Sequence, residues 1–143
     1  MNIDKTDFCP KIGDIYIIKF EGQGSEQQGL RPGLIFQNNL GNKFSPNVVA
    51  LPITGRLKKI SQPTHVFLPK EIGLEKDSMV LCENPKPVSK DKLYKYITTV
   101  SDEYMKSIAI ANLLASSAIS FIDFNSLYLT WCKANSLNAK LTS

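Results

Sequence analysis

Only two of the 17 basic residues in this chain are arginines, Arg31 and Arg56. A guanidinium group is a rigid, permanently charged fork that can donate two hydrogen bonds to one phosphate. Three polar segments between apolar runs add further donors and acceptors: GSEQQGLRP, which contains Arg31, then QNNLGN and PIT. These residue types favour a ligand that carries phosphate.

The sequence does not support other common kinds of site. The GQG run at 22–24 lacks the third glycine and the following helix of a dinucleotide-binding loop, and neither a GxSxG motif nor a Walker lysine is present. A single histidine, His65, excludes a ribonuclease scheme with two imidazoles and disfavours a metal site, so we expect no metal and no cofactor. We interpret His65 as a structural residue bonded to backbone, and Cys82 as a packed, inert thiol.

Length, charge and cysteine content narrow the class of protein. A chain of 143 residues indicates one domain. The sequence has no run of about 18 apolar residues, so no membrane span is predicted. The net charge of +4 comes from residues 56–95, which hold nine basic and five acidic residues. This excess either attracts a polyanion or forms a solvated lysine-rich surface. Three cysteines without CxxC spacing predict a reducing, cytoplasmic location.

Short runs of β-branched and aromatic residues predict five strands before residue 100. They are Asp14–Phe20, Leu34–Gln37, Val48–Thr54, Thr64–Leu68 and Met79–Cys82. The intervening segment Glu21–Gly29 has three glycines and no aliphatic residue, which predicts a surface loop closed by Arg31 and Pro32. Five short strands favour a mostly antiparallel sheet that curls into a small barrel.

The hydrophobic period becomes helical after residue 100. Ser101 is a suitable N-cap, and acidic residues follow it in the first turn. Apolar residues then recur at helical spacing and predict one long amphipathic helix packed on the core; they are Met105, Ile108, Ala111, Ala115, Ala118 and Ile122. We expect a single domain over residues 1–124, mostly β with a C-terminal helix, and a helical or frayed extension over 125–143.

Taken together, these segments resemble the MazF/PemK family of toxins from bacterial type II toxin-antitoxin modules. The resemblance rests on GSEQQGLRPGLIFQNNLGNKFSPNVVALPIT, then KK, PTHV, DSMVLCE and KDKL, and it runs from about Gly13 to Ile122. It implies an SH3-like small β-barrel of the PemK/MazF/CcdB-like toxin fold that forms a two-fold homodimer. It also implies a sequence-specific, metal-independent endoribonuclease that cleaves single-stranded RNA, usually mRNA, and is inhibited by a cognate antitoxin protein.

The resemblance also implies site residues. The family's catalytic pair falls on Arg31 and Thr54. The implied contacts with RNA fall on Ser25, Gln27, Ser78, Glu83 and Asn84. To these we add Glu26 as a possible helper in proton transfer, and Arg56 and Lys58 in the basic segment Gly55–Gln62, which is the candidate surface for the RNA backbone and the antitoxin. In such a site the ribose 2′-hydroxyl attacks its own adjacent phosphate, and the sequence leaves the general base open between Glu26 and solvent.

One segment departs from the family's pattern. Relatives commonly read EQIRTIDK where this chain reads ENPKPVSK, with Asn84 in place of glutamine, Lys86 in place of arginine, and prolines at 85 and 87. A shorter amide in a rigid proline turn is expected to change which base is accepted, so no cleavage motif is predicted.

Two other functions fit the same fold. One is a toxin without ribonuclease activity that binds a protein partner, as the related gyrase-poisoning toxins do. The pair Arg31 and Thr54 argues against it, because that class lacks the pair. The other is a basic RNA-binding module without turnover, which requires the altered ENPKPVSK segment to spoil substrate alignment.

Overall fold

One antiparallel sheet of seven strands forms the body of the molecule. The computed structural model describes residues 9–21 and 29–142, with side chains up to residue 137. The strands are β1 (Asp14–Phe20), β2 (Gly29–Ile35), β3 (Asn47–Thr54), β4 (His65–Leu68), β5 (Ser78–Leu81), β6 (Lys86–Ser89) and β7 (Leu93–Thr99). Their order is β4-β5-β3-β2-β1-β7, with β6 also paired to β3. The mostly β architecture with C-terminal helices is confirmed, but among the described residues no ladder joins β4 to β7, so the sheet is not a closed barrel.

The strand predictions were right where apolar residues dominate and wrong elsewhere. β1 has its predicted bounds, but β2 begins at Gly29, so Arg31 and Pro32 pair with β1 rather than closing a loop. β6 and β7 were not predicted. The prolines in ENPKPVSK suggested a turn, whereas Pro87 lies in β6 opposite Val49 of β3. Proline has no backbone N–H to donate, so it is tolerated at strand positions where no partner needs that donor, as on the edge of a sheet.

Side chains alternate between the faces of this bent sheet and fill two cores. One core lies under the first C-terminal helix, which contributes Ile108 and Ala111; its other members include Ile15, Leu34, Leu51, Ile53, Leu68, Val80 and Cys82. The other lies on the opposite face; it contains Tyr16, Ile18, Phe20, Ile35, Val48, Ala50 and Val88. Both faces of the central strands β1, β2 and β3 are therefore buried, which fixes the register of the strands that carry Arg31 and Thr54.

The helical region differs in detail from the prediction. Helix α1 (Asn39–Phe44) is a short insertion between β2 and β3. Helix α2 runs over Asp102–Ser116, and the single long helix predicted to reach Ile122 was wrong. Ser117 adopts a left-handed φ of 56° and its N–H donates to the carbonyl of Leu114, which ends the helix; a 3₁₀ turn follows.

The residues after this break form helix α3 (Phe124–Thr142), which is longer than the short helix predicted there. Ser126 Oγ donates to Asp123 at 2.8 Å, a local bond that marks the start of the helix. Several of its apolar side chains are exposed, among them Phe124, Leu127, Tyr128, Leu129 and Trp131. Among the described residues, no helix is both long and apolar enough to cross a membrane.

Replacing Gly33 by alanine is expected to destabilise the fold. A Cβ at this position would lie 2.7 Å from both Ile18 Cδ1 and Phe20 Cζ, in the core beneath β2. Overpacking of this kind typically costs about 1–3 kcal/mol. Urea denaturation should show the loss for Gly33→Ala, with the exposed strand variant Lys19→Ala within about 0.5 kcal/mol of the parent. Equal stability of Gly33→Ala and the parent would mean that the core is less tightly packed than it appears in the structure.

Candidate functional site

Arg31 and Thr54 lie on neighbouring strands. The ladder between β2 and β3 ends at the pair Gly33–Pro52, two residues from Arg31 on one strand and two from Thr54 on the other, so both residues lie at the same end of these antiparallel strands. Residues two apart on a strand share a face, so both side chains are on the face of the Gly33–Pro52 pair. Both are partly buried. A guanidinium and a hydroxyl therefore lie on the same face at the same end of two neighbouring strands.

The hydroxyl of Thr54 is oriented by the backbone. Thr54 Oγ1 accepts the backbone N–H of Arg56 at 3.1 Å, a short local bond of the kind that serine and threonine make at turns. Because this bond uses an oxygen lone pair, the hydroxyl hydrogen can still be donated elsewhere. Thr54 is thus held as a donor at the point where β3 ends.

A cavity of about 450 Å³ opens beside Thr54, on the outer face of β4 and β5. We call it the Thr54 cavity. It is lined by Thr54, Arg56, Lys58, Lys59, Gln62, His65, Met79, Leu81 and Glu83. Residues of the basic segment and Glu83, predicted from the sequence as contacts for RNA, all line this cavity. Cationic side chains around an apolar floor can hold a phosphate backbone at the rim and a base within.

His65 lies in the wall of the Thr54 cavity, between Lys59 and Glu83. The ring contacts the carbonyl oxygen of Lys59 through Nδ1 and Glu83 Oε1 through Nε2, each at 3.0 Å. The predicted bond from the ring to backbone is therefore confirmed. The contact with Glu83 was not predicted, although the alternation of β4 and β5 could have indicated it once their register was known.

Ser78 does not join the Thr54 cavity. It is buried, its hydroxyl donates to the carbonyl of Lys76 at 2.8 Å, and it lines a second cavity of about 470 Å³ on the other side of β3. Asn84 directly follows Glu83 in the turn after β5, where its backbone N–H bonds to the carbonyl of Leu81 at 3.2 Å. Its side chain is partly buried and is not among the residues that line the Thr54 cavity.

Three predicted contacts, Ser25, Glu26 and Gln27, lie outside the described residues. The polar segment QNNLGN is described, and it serves the fold rather than a ligand. Asn42 is fully buried and donates to the carbonyl of Gln37 at 2.9 Å, while Asn38 caps α1 by accepting the N–H of Gly41 at 2.9 Å. Because these amides already form hydrogen bonds with one another and with the backbone, few of their donors and acceptors remain to bind a phosphate.

The predicted inert character of Cys82 agrees with its surroundings. The residue is fully buried, and burial, helped by the neighbouring carboxylate of Glu83, raises the pKa of the thiol to about 12. A thiol with this pKa holds almost no thiolate near neutral pH, so Cys82 is a poor nucleophile. Within the described parts of the chain, no group of three or more histidine, cysteine, aspartate or glutamate side chains is placed to hold a metal ion.

Comparison with known proteins relates this geometry to a family. A family model described as "PemK-like, MazF-like toxin of type II toxin-antitoxin system" matches residues 11–114, more than half of the chain. The chain belongs to this toxin family. The match spans all seven strands, both cavities and most of α2, and it leaves α3 outside.

Individual relatives of this PemK-like toxin agree with that assignment. Endoribonuclease MazF of Staphylococcus saprophyticus is 44% identical over 98 residues, which cover 67% of this chain and 82% of the relative. A mycobacterial endoribonuclease solved in complex with its cognate antitoxin is 28% identical, with a TM-score of 0.63 and coverage of 76% of this chain and 95% of that one. MazF from Deinococcus radiodurans has a TM-score of 0.67 at 21% identity, covers 78% and 99% of the two chains, and supports the fold.

Proposed function

We propose that this toxin is an endoribonuclease that cleaves single-stranded RNA at short sequences, without a metal ion, by attack of the ribose 2′-hydroxyl on the adjacent phosphate. The observation that carries the proposal is that Arg31 and Thr54 lie at the same end of the neighbouring strands β2 and β3, with Thr54 in the wall of the basic Thr54 cavity. The relative that is 44% identical is named an endoribonuclease, which supports the same activity.

The proposed chemistry needs alignment and charge stabilisation rather than a protein nucleophile. As the 2′-hydroxyl attacks, negative charge grows on the non-bridging oxygens of the phosphorane. Arg31 supplies two donors and a full positive charge to these oxygens, and Thr54 supplies a hydroxyl donor already oriented by Arg56 N–H. The bond from the 2′-oxygen to phosphorus forms as the bond from phosphorus to the 5′-oxygen breaks, and the products are a 2′,3′-cyclic phosphate and a 5′-hydroxyl. Arg31 acts electrostatically and transfers no proton; the 2′-proton passes to solvent or to Glu26, and solvent supplies the proton that the leaving 5′-oxygen takes up.

Substrate binding follows from charge and shape. Arg56, Lys58 and Lys59 are exposed along one wall of the Thr54 cavity and contact the phosphates on either side of the scissile bond. Glu83, which lines the same cavity, and Asn84, in the turn beside it, contact base edges, which single-stranded RNA can present without unpairing. Ser78 lies in the second cavity and could reach a base there only if the RNA crosses the end of β3.

The partners of the toxin share this surface. We propose a two-fold homodimer in which the segment Gly55–Gln62 is covered by a cognate antitoxin, so that inhibitor and substrate compete. The mycobacterial relative crystallised with its antitoxin supports an antitoxin partner for this chain.

Incubation of the purified toxin with a long RNA of mixed sequence tests this function. Cleavage at a few sites, with 5′-hydroxyl ends, and loss of cleavage when the cognate antitoxin is added are the expected results. No cleavage at any toxin concentration would favour a protein target instead. Cleavage that the antitoxin leaves unchanged would contradict the shared surface.

Cleavage is expected to continue in excess EDTA. The chain offers one histidine, and two-metal nucleases need clustered carboxylates to hold their ions. Rates with EDTA and with added magnesium should agree within about twofold at constant ionic strength, since phosphate binding itself depends on salt. Restoration of a lost activity by magnesium would point to another mechanism.

Asn84→Gln is expected to change the preferred cleavage site more than the rate. Asn84 stands in the turn that carries Glu83 into the cavity wall, and a side chain longer by one methylene moves its amide by an ångström or more. Sequencing of 5′-hydroxyl ends should show a shifted site preference, with cleavage of the best substrate within about tenfold of the parent. An unchanged site map would assign the turn a purely structural role.

A further inference from the structure

His65 joins two parts of the Thr54 cavity that are distant in sequence. Its side chain is 7% exposed, and its two nitrogens lie 3.0 Å from Lys59 O and 3.0 Å from Glu83 Oε1. A carbonyl can only accept, so Nδ1 donates to Lys59. Nε2, the other ring nitrogen, contacts Glu83 Oε1. One nearly buried ring thus ties the basic segment to the carboxylate across the cavity.

The register of β4 and β5 produces this contact. His65 pairs with Leu81, and Glu83 is two residues further along, on the same face. Diagonal neighbours of this kind are within reach of long side chains. The backbone bond from Cys82 N to Thr64 O, 3.0 Å, continues the pairing of the two strands to Cys82, the residue before Glu83. The side chain of Glu83 is therefore placed by the sheet as well as by His65.

The hydrogen bond from His65 Nδ1 to Lys59 O stabilises an unusual backbone conformation at Lys59. Lys59 has a φ of 57°, the left-handed region that lysine rarely adopts. Its carbonyl oxygen accepts both His65 Nδ1 and the backbone N–H of Gln62, each at 3.0 Å. These two bonds fix the segment that carries Lys58 and Lys59 against the cavity.

We propose that His65 is a positioning residue for base recognition, which holds the Glu83 carboxylate toward the RNA base bound in the Thr54 cavity. The proposal rests on the proposed function and adds a specificity determinant to it. Glu83 has 39% of its side chain exposed, and the bond to His65 engages Oε1, so Oε2 can accept from a base. A carboxylate prefers a base edge with an exocyclic amino group and disfavours uracil, whose Watson–Crick edge has a single N3–H donor flanked by two carbonyl oxygens that repel the carboxylate.

Two substitutions of His65 each remove one of the two hydrogen bonds of its ring and keep the other. In His65→Asn the amide nitrogen occupies the place of Nδ1 and keeps the bond to Lys59, while the bond to Glu83 is lost. In His65→Gln the amide nitrogen occupies the place of Nε2 and keeps the bond to Glu83, while the bond to Lys59 is lost. Thermal unfolding identifies any variant that fails to fold, and Glu83→Gln is the reference for loss of the carboxylate.

Cleavage sites of the parent and of Glu83→Gln are first compared on a randomised RNA to find the base position that depends on Glu83. At that position the parent should prefer a base with an amino group over uracil. His65→Asn should reduce this preference by about fivefold or more, with kcat on the best RNA within about threefold of the parent. His65→Gln should keep the preference and raise KM instead.

A double-substitution cycle decides whether His65 acts through Glu83. Adding His65→Asn to Glu83→Gln should cause no further loss of preference. Additive losses, or equal loss of kcat with every substrate, would overturn the proposal while leaving the endoribonuclease function intact. If the parent cleaves no RNA, the proposed function fails, and binding of labelled RNAs that differ at one base then measures the same preference. Equal binding of these RNAs by the parent would overturn the His65 proposal as well.

Discussion

Arg31→Ala is expected to lower RNA cleavage by at least about 100-fold while leaving the fold intact. The residue lies at the same end of β2 as Thr54 does of the neighbouring β3, and we propose that the negative charge of the transition state develops between them. The alanine variant loses two hydrogen-bond donors and one positive charge. Because these groups stabilise the transition state more than the bound substrate, kcat should fall by a larger factor than KM rises. Single-turnover cleavage of a short RNA with one preferred site measures the effect.

Two further variants control this result. Arg31→Lys keeps the charge but not the planar fork, so it should recover only part of the rate. Lys106→Ala removes a cation on α2 that is paired with Glu103 and lines neither cavity, so it should cleave like the parent. Turnover of Arg31→Ala within tenfold of the parent, with an unchanged melting temperature, would remove Arg31 from the catalytic site.

Thr54→Val is expected to cost about 100- to 1,000-fold in cleavage rate, the range seen when one preorganised donor is removed from an anionic transition state. Valine keeps the branched shape at the end of β3 but cannot donate to the phosphate. It also leaves the N–H of Arg56, which Thr54 Oγ1 accepts at 3.1 Å, without this bond. Single-turnover rates on the same short RNA give the comparison.

Thr54→Ser separates the loss of the donor from disturbance of the turn. Serine retains the hydroxyl and the bond to Arg56 N–H, and it should therefore keep most of the rate. Similar defects in the serine and valine variants would show that the methyl group and packing matter, and that the hydroxyl does not act on the phosphate.

The sequence predicted the parts of the fold in which one signal dominates. β1 consists mostly of isoleucine and aromatic residues, and its bounds were predicted to the residue. β6 was missed because Lys86 and Pro87 contradict strand propensity, and only pairing with β3 makes it a strand. β7 was missed although its tyrosine, isoleucine and threonine residues favour a strand. The break at Ser117 was missed because the apolar residues keep helical spacing across it, while backbone bonds at Leu114 end the helix.

The site was predictable to a similar degree. Arg31, Thr54 and the basic segment were predicted from residue types and family resemblance; the structure places Thr54 and the basic segment around one cavity and Arg31 at the same end of the neighbouring strand. Segments QNNLGN and PIT both looked like polar interruptions, but only the structure shows that Asn42 is fully buried and bonded within the fold, whereas Thr54 lines a cavity. The link from His65 to Glu83 depends on strand register, which a single sequence does not specify.

Replacement of one 2′-hydroxyl in the substrate by hydrogen tests the central claim most directly. A short RNA with a single preferred site is made with 2′-deoxyribose only at the nucleotide whose hydroxyl would attack. Cleavage at that site should disappear, because the nucleophile is absent, while binding measured by competition against the unmodified RNA stays within about threefold. Cleavage of the deoxy substrate at an undiminished rate would show that water or a protein group is the nucleophile, and would contradict the proposed roles of Arg31 and Thr54.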